Sequence, residues 1–224
     1  MSEALHFAEH TLQEITLVIM AVVYTLRLIW IFRFKAGRDR QMATGMPDTS
    51  KKKGIIYSWA NIFTPWEMES TRKHLIIYIQ FVIFHLGVTC AILLSFFIPY
   101  TPELMESKIL VTIFQVIIGL AFLIGLYRIY RRISQKVMRA ISTPDDYFSL
   151  TLITVWFAFA TLSVPNDTSS GEMILIIYFW LTAFFLIYVP FSKISHYLYY
   201  PITRYYFGKT MGHRGGYPLR GTRV

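Results

Sequence analysis

The chain has 224 residues, of which 54% are hydrophobic and 17% aromatic, with a mean hydropathy of +0.45 and a formal net charge of +9. This balance excludes a water-soluble domain of this length and indicates an all-α membrane protein. Crossing a hydrocarbon core of roughly 30 Å takes about 20 apolar residues as helix. Five segments meet this requirement and predict a five-helix transmembrane bundle: 15–34, 75–98, 109–126, 147–164 and 173–198.

The positive charges lie in alternate loops. Segments 33–73, 128–139 and 193–224 carry nine, five and six Lys or Arg residues, whereas 1–14, 99–108 and 165–172 carry none, one and none. The positive-inside rule then predicts a multi-pass protein with an outer N terminus and a cytoplasmic C terminus. We therefore expect no nucleic-acid partner. The acidic first 14 residues and the full-length first run predict that no signal peptide is cleaved.

Little of the chain remains outside the helices, so we expect no catalysis on a soluble substrate. The single cysteine, Cys90, excludes an intrachain disulfide or an iron–sulfur cluster held by this chain alone. The predicted bundle domain covers residues 1–207. Residues 208–224 are predicted to form a basic cytoplasmic tail, an extended arm that becomes ordered on a partner.

Three histidines lie in or beside the predicted helices: His74, His85 and His196. Two neutral imidazoles from facing helices are the usual axial ligands of a low-spin haem b, because each approaches one side of the flat porphyrin. His85 lies deep in an apolar run, where a polar ring needs a partner, and we predict that it ligates haem iron together with His196. The nearby Gly87 is expected to leave room for the edge of the macrocycle.

The depths of the two predicted ligands do not match by a simple count along their helices. His74 therefore stays open as the partner of His196, although its position beside Arg72 and Lys73 is typical of a membrane-interface residue. Arg27, inside the first helix, either reaches the interface or contacts a haem propionate.

Three stretches resemble one family. They are Phe84-His85-Leu86-Gly87, residues 131–146, and Pro190-Phe191-Ser192-Lys193 followed by His196. They look like the gamma subunit of respiratory nitrate reductase, and they are similar to the membrane cytochromes of heterodisulfide reductase and of the sulfite-reductase-associated complex. The resemblance covers all five helices, in the same orientation.

The resemblance implies a membrane cytochrome b that passes electrons between a quinone, menaquinone or ubiquinone, and a cytoplasmic iron–sulfur subunit. In the family, the histidines of two of these motifs ligate the haem nearer the cytoplasm, and they fall on His85 and His196. A family lysine associated with the quinone site is similar in position to Lys108.

The chain departs from the family at the second haem. The two ligand positions of the outer haem are occupied here by Ser95 and Tyr178, so we expect one haem b. An outer quinone site at Lys108 would then have no haem nearby. Either the site lies further inward, near Arg27 or the aromatic segment 54–70, or an outer-face cytochrome partner supplies the missing cofactor, with His6 and His10 as the spare outer imidazoles.

The predicted function is that of a haem b subunit of a quinone-linked respiratory oxidoreductase. Arg27, Lys193 and Arg204 are predicted to contact the haem propionates by charge-assisted hydrogen bonds. The cytoplasmic loops and the basic tail are expected to dock the iron–sulfur subunit. The alternative is a haem-free membrane anchor or assembly subunit. A transporter is a weaker alternative, because no inverted repeat is evident.

Overall fold

The computed structural model describes residues 2–34, 37, 39–61, 64, 69–169 and 171–219. Within these residues every regular element is helical. Five helices are long and apolar enough to cross a membrane: Glu3–Arg33, Leu75–Tyr100, Lys108–Ser134, Pro144–Ser163 and Met173–Phe191. These findings confirm the predicted all-α fold with five spanning helices and indicate a multi-pass membrane protein. The orientation of the termini stays a prediction.

The described residues contain seven helices of ten residues or more. They are α1 (Glu3–Arg33), α2 (Lys51–Ala60), α3 (Leu75–Tyr100), α4 (Lys108–Ser134), α5 (Pro144–Ser163), α6 (Met173–Tyr188) and α7 (His196–Arg214). They form two compact units. Unit one comprises Met1–Ile29 and Tyr78–Ile194, and unit two comprises Trp30–Ile77 and Ser195–Val224.

Helix α1 begins about three turns before the predicted run. The Ser2 hydroxyl accepts a hydrogen bond from the Leu5 amide (3.2 Å) and so caps the helix. The Ser2 amide donates to both carboxylate oxygens of Glu172 at 2.9 and 3.0 Å, which joins the start of α1 to the start of α6. Residues Phe7–Leu12 form a π-helical turn within α1. The early polar residues are thus part of the first helix.

Helix α5 begins at Pro144, three residues before the predicted run 147–164. Pro144 occupies the first turn, where its missing N–H costs nothing, and the Asp146 carboxylate accepts from the Thr143 amide at 2.8 Å. This arrangement is a capping box, which starts the helix.

The predicted fifth helix, 173–198, is not continuous in the structure. Helix α6 ends at Tyr188, short 3₁₀ turns follow at Val189–Phe191 and Lys193–Ser195, and α7 begins at His196. Pro190 explains the break, because proline donates no backbone hydrogen bond and its ring obstructs the preceding turn. The chain is also extended at Ser192. His196 therefore starts a new helix instead of ending the fifth one.

Small residues set the close contacts among the helices of unit one. A Cβ atom added to Gly87 of α3 would lie 2.2 Å from Cβ of Ala121 on α4. One added to Gly125 of α4 would lie 2.5 Å from the Thr154 hydroxyl oxygen on α5. Lipid is as apolar as a leucine side chain, so helices in a bilayer associate through close packing and hydrogen bonds. Gly87 and Gly125 allow this close packing.

Unit two is built on the pairing of α2 with α7. Gly54 of α2 lies against Gly208 and Gly212 of α7, so closely that an added Cβ would come within 2.3 Å of the Gly208 carbonyl oxygen. The tail predicted to be extended from residue 208 is therefore helical to Arg214. Its helix ends at Gly215, which has φ +79°, a left-handed conformation that glycine adopts without strain. Residues 220–224 of the predicted tail lie outside the described residues.

A salt bridge beside this helix end gives unit two a pH dependence. Arg214 donates from Nε to Asp39 Oδ2 at 2.7 Å and from Nη2 to Oδ1 at 3.1 Å. The hydrogen bond from Arg214 holds the pKa of Asp39 below its usual range. The ionised carboxylate is the bonded form, so its stabilising effect is complete above the usual pKa of about 3.9 and is lost as the pH falls through the lowered value.

We expect acid to release the segment that this pair holds. The amides of Gly45 and Met46 bond to the carbonyls of Arg214 and Gly215 at 3.0 and 3.2 Å. Their exchange with deuterium, corrected for the intrinsic rate, should accelerate below about pH 4. The change should be at most about fivefold, because the pair is partly exposed. Asp39→Asn should exchange at the faster rate at pH 6 as well, and a variant that matches the wild type at pH 6 would contradict the assignment.

Candidate functional site

The Nδ1 atom of His85 bonds to the backbone of its own helix. It lies 2.7 Å from the backbone carbonyl oxygen of Phe81, one turn earlier on α3. A carbonyl oxygen only accepts hydrogen bonds, so Nδ1 carries a proton and donates. Metal-binding histidines are generally held in this way, with the second ring nitrogen donating to a carbonyl or carboxylate. Nε2 is then the ring nitrogen that would bind a metal.

Aromatic rings lie beside His85 in unit one, and an arginine packs on one of them. The Phe81 ring centroid lies 4.0 Å from that of His85, and Phe84 packs edge-on against Phe157 at 5.2 Å. The Arg128 guanidinium of α4 lies 4.6 Å from the centre of the Phe84 ring. Arg128 was not among the predicted site residues, because this contact joins two separate helices.

Gly87 does not provide the space that was predicted for a macrocycle. The position that a side chain would occupy is filled by Ala121, which brings α3 and α4 into contact two residues after His85. The glycine is explained by this close approach of two helices. Its role at the site is to set where α3, and hence His85, lies relative to α4.

His196 is the first residue of α7, and its side chain is exposed. It belongs to unit two, whereas His85 belongs to unit one. The pairing of these two rings thus stays a prediction. His74, the alternative partner, follows the short helix Glu69–Lys73 and is also exposed.

Two of the predicted propionate contacts lie at one end of unit one. The Arg27 guanidinium is 5.3 Å from the centre of the Phe191 ring, which connects α1 to the turn after α6. Lys193 Nζ donates to the Thr143 hydroxyl at 2.8 Å and to Asp146 at 3.1 Å. Lys193 therefore ties that turn to the capping box of α5, a structural role that the sequence did not suggest.

The third predicted propionate contact, Arg204, holds unit two together. Its Nε and Nη2 donate to the carbonyl oxygen of Ser58 at 2.9 and 2.7 Å. The Ser58 hydroxyl in turn donates to the carbonyl of Arg204 at 2.9 Å. These bonds join α2 to α7 across the contact of Gly54 with Gly208 and Gly212. Two N–H groups of the Arg204 guanidinium are therefore already engaged within unit two.

The predicted outer residues form a loose polar cluster. Lys108 is exposed at the start of α4. The His6 and His10 ring centroids lie 4.8 Å apart, His10 packs edge-on against Tyr100, and the Tyr100 hydroxyl donates to Glu14 at 2.9 Å. Among the residues that the structure describes, no group of three or more His, Cys, Asp and Glu side chains could hold a metal ion.

Side chains fill the region where the family has its second haem. Tyr178 is fully buried, and its hydroxyl donates to the carbonyl of Ala91 at 2.6 Å. The carbonyl of Ser95 accepts from Gln13 Nε2 at 2.9 Å. Trp156 stacks on the Tyr178 ring at 6.3 Å, and its Nε1 donates to Thr182 at 2.9 Å. The helices α1, α3, α5 and α6 thus meet in a packed, hydrogen-bonded core at these positions.

The likeness to the nitrate reductase gamma family rests on the motif residues around His85 and His196. The His85 motif lies beside the α3–α4 contact, and the Pro190 motif forms the turn that ends α6 and precedes α7. Comparisons of the chain with protein-family models, with curated proteins and with solved structures gave no match.

Proposed function

We propose that the chain is a haem b-binding subunit of a quinone-linked oxidoreductase in the inner membrane of a prokaryote, similar to the gamma subunit of respiratory nitrate reductase. It passes electrons between a membrane quinone and a cytoplasmic iron–sulfur subunit. His85 and His196 are the axial ligands of a single haem b.

The observation that carries this proposal is the hydrogen bond from His85 Nδ1 to the Phe81 carbonyl at 2.7 Å. With Nδ1 donating to this carbonyl, Nε2 is the ring nitrogen that would ligate haem iron. A haem b held there supplies one-electron transfer, and the protein supplies the ligands and the apolar surroundings.

Arg128 joins the residues proposed to contact the haem. It lies over Phe84, the residue next to His85, and it is half-buried in unit one. A partly buried guanidinium is a strong partner for a carboxylate, because both its charge and its fork of donors are used. Arg128 and Arg27 are therefore better placed as propionate contacts than Arg204, whose guanidinium bonds to Ser58.

One haem rather than two is supported by the packing around Tyr178. A fully buried tyrosine that bonds to the Ala91 carbonyl would have to be displaced before a second porphyrin could enter. Displacement would leave the Tyr178 hydroxyl without this bond in an apolar interior, at a cost of about 1–3 kcal/mol.

Unit two is the proposed docking surface of the iron–sulfur subunit. Lys51, Lys52 and Lys53 are exposed at the start of α2, and the positive-inside rule predicts that this segment is cytoplasmic. A basic surface accelerates association with an acidic partner, and the effect decreases with ionic strength.

The alternative, a haem-free anchor, is favoured by a different observation. Arg204 and Lys193 are both used in bonds within their units, so the fold is held without a cofactor at those positions. A scaffold that had lost its haems would be expected to use its former propionate contacts in this way.

Haem quantification separates the two functions. The chain is purified with its complex, and a reduced-minus-oxidised absorbance spectrum is combined with a pyridine haemochrome assay, corrected for haem from other subunits. We expect about one haem b per chain. A colourless chain that still assembles would overturn the cytochrome function in favour of the anchor, and two haems would contradict the argument from Tyr178.

A further inference from the structure

An apolar groove runs along the surface of unit one between α5 and α6. Its volume is about 470 Å³, and its lining includes Phe148 and Leu152 of α5 and Trp180, Leu181 and Phe184 of α6. All of its lining residues are apolar. About half of the Trp180, Phe148 and Phe184 surfaces is exposed. On a membrane-spanning helix pair, such a surface is accessible from the bilayer.

A polar cluster closes one end of this groove. The Tyr188 ring packs against Phe148 at 5.3 Å and against Phe184 at 5.8 Å, so it directly continues the apolar lining. Its hydroxyl bonds to Asp145 Oδ1 at 2.9 Å and to the Ser149 hydroxyl at 2.8 Å. Two hydroxyls and a carboxylate thus meet where the groove reaches the start of α5.

We infer that the groove between α5 and α6 binds an isoprenoid quinone, with its head group at Tyr188, Ser149 and Asp145 and its tail along Phe184 and Trp180. The inference rests on the proposed quinone-linked function and names a site for it. It places the quinone away from Lys108, at the end of the bundle that the charge pattern predicts to be cytoplasmic.

The cluster can bind both redox forms of such a ligand. A quinone carbonyl accepts a hydrogen bond, and the Tyr188 or the Ser149 hydroxyl can donate its one hydrogen to it in exchange for a bond within the cluster. A hydroquinone hydroxyl donates instead, and the Asp145 carboxylate accepts. Asp145 is also the second residue of α5, so the cluster lies at a helix end near the aqueous phase.

The charges at the cluster favour a quinone over a phospholipid. Asp145 and Asp146 are adjacent, and the Lys193 ammonium is directed to Asp146 and Thr143. The two bonds described for Asp145 are to hydroxyl groups, Tyr188 and Ser149. An anionic phosphate would be repelled by the Asp145 carboxylate, whereas a neutral quinone ring is not.

Trp180 provides a direct measurement, because it lines the groove and a bound quinone quenches tryptophan fluorescence. The probe is menaquinone with two isoprene units, titrated into the purified complex in detergent. We expect saturable quenching that is lost in Trp180→Phe. Tyr188→Phe and Asp145→Asn should weaken the apparent affinity about tenfold each, the effect of losing one hydrogen bond to the ligand.

Tyr100→Phe is the matched control, since Tyr100 also bonds to a carboxylate, Glu14, at 2.9 Å. It should leave the affinity unchanged. Loss of affinity in Tyr100→Phe but not in Tyr188→Phe would overturn the inference and move the site to the outer cluster. Equal affinity in all variants would also overturn it.

Native mass spectrometry of the same samples tests for the competing occupant. A phospholipid that is retained by the wild type and lost in Tyr188→Phe, without quinone quenching, would overturn the inference. The haem spectrum is recorded in parallel. A colourless complex with the expected quenching pattern would refute the haem but support the quinone site. Failure of the haem assignment can therefore be distinguished from failure of the quinone site.

Discussion

Replacing His85 with alanine is expected to abolish haem b incorporation, leaving less than about a tenth of the wild-type haem per chain. Alanine has no donor atom, and the iron loses one of two axial ligands. The hydrogen bond between the His85 ring and the Phe81 carbonyl, which orients the ring, is also lost. His196→Ala should have the same effect, and the double variant should be no worse than either single one, because each ligand is needed for binding.

The controls are two other imidazoles on the side that is predicted to be cytoplasmic, His74→Ala and His213→Ala, which should keep a normal spectrum. Haem per chain and the position of the reduced α band are measured on protein that elutes as a single species. Full haem content in His85→Ala would refute the ligand assignment. Loss of haem in His74→Ala, with retention in His85→Ala, would identify His74 as the partner of His196.

Gly87→Val is expected to disrupt unit one. An added Cβ would lie 2.2 Å from that of Ala121, closer than any two such atoms approach, so α3 and α4 must separate. Overpacking of this kind costs about 1–3 kcal/mol, and a branched side chain adds to the clash. Because His85 lies two residues away, haem content should fall together with the amount of monodisperse protein, measured by size-exclusion chromatography of a fluorescent fusion.

The same contact allows a rescue. Gly87→Ala combined with Ala121→Gly moves the methyl group from one helix to the other and should restore assembly, whereas Gly87→Ala alone should impair it. Gly119→Ala on α4 is the matched control, because its added Cβ would come no closer than 3.7 Å to Thr161, an ordinary contact. If Gly87→Ala is as well tolerated as Gly119→Ala, the contact is not a determinant of the fold.

The membrane helices could be predicted from sequence because the bilayer imposes a length on them. Apolar runs of about 20 residues are rare outside membranes, and each of the five predicted here corresponds to a helix. The start of α5 was also predictable, since Thr143, Pro144 and Asp146 act within a single turn and need no tertiary contact. Local chemistry of this kind can be read directly from the residues.

The remaining features depend on contacts between distant segments. The helical state of residues 208–214 follows from the fit of Gly208 and Gly212 against Gly54, and only the four-residue glycine spacing hinted at it. Arg128 packs on Phe84, which lies on another helix, so its own stretch of sequence does not show the contact. The Tyr188, Ser149 and Asp145 cluster likewise joins two helices, and no single stretch of sequence contains it.

Helix α1 contacts the α6 segment at two widely separated points. Ser2 bonds to Glu172 near the start of α1, and Arg27 packs over Phe191 near its end. The helix between them rises about 37 Å. The bond from Gln13 to the Ser95 carbonyl attaches the same helix to α3 between these two points. A stiff helix held at several points along its length acts as a strut, so a displacement at one end of the α6 segment is transmitted to the other.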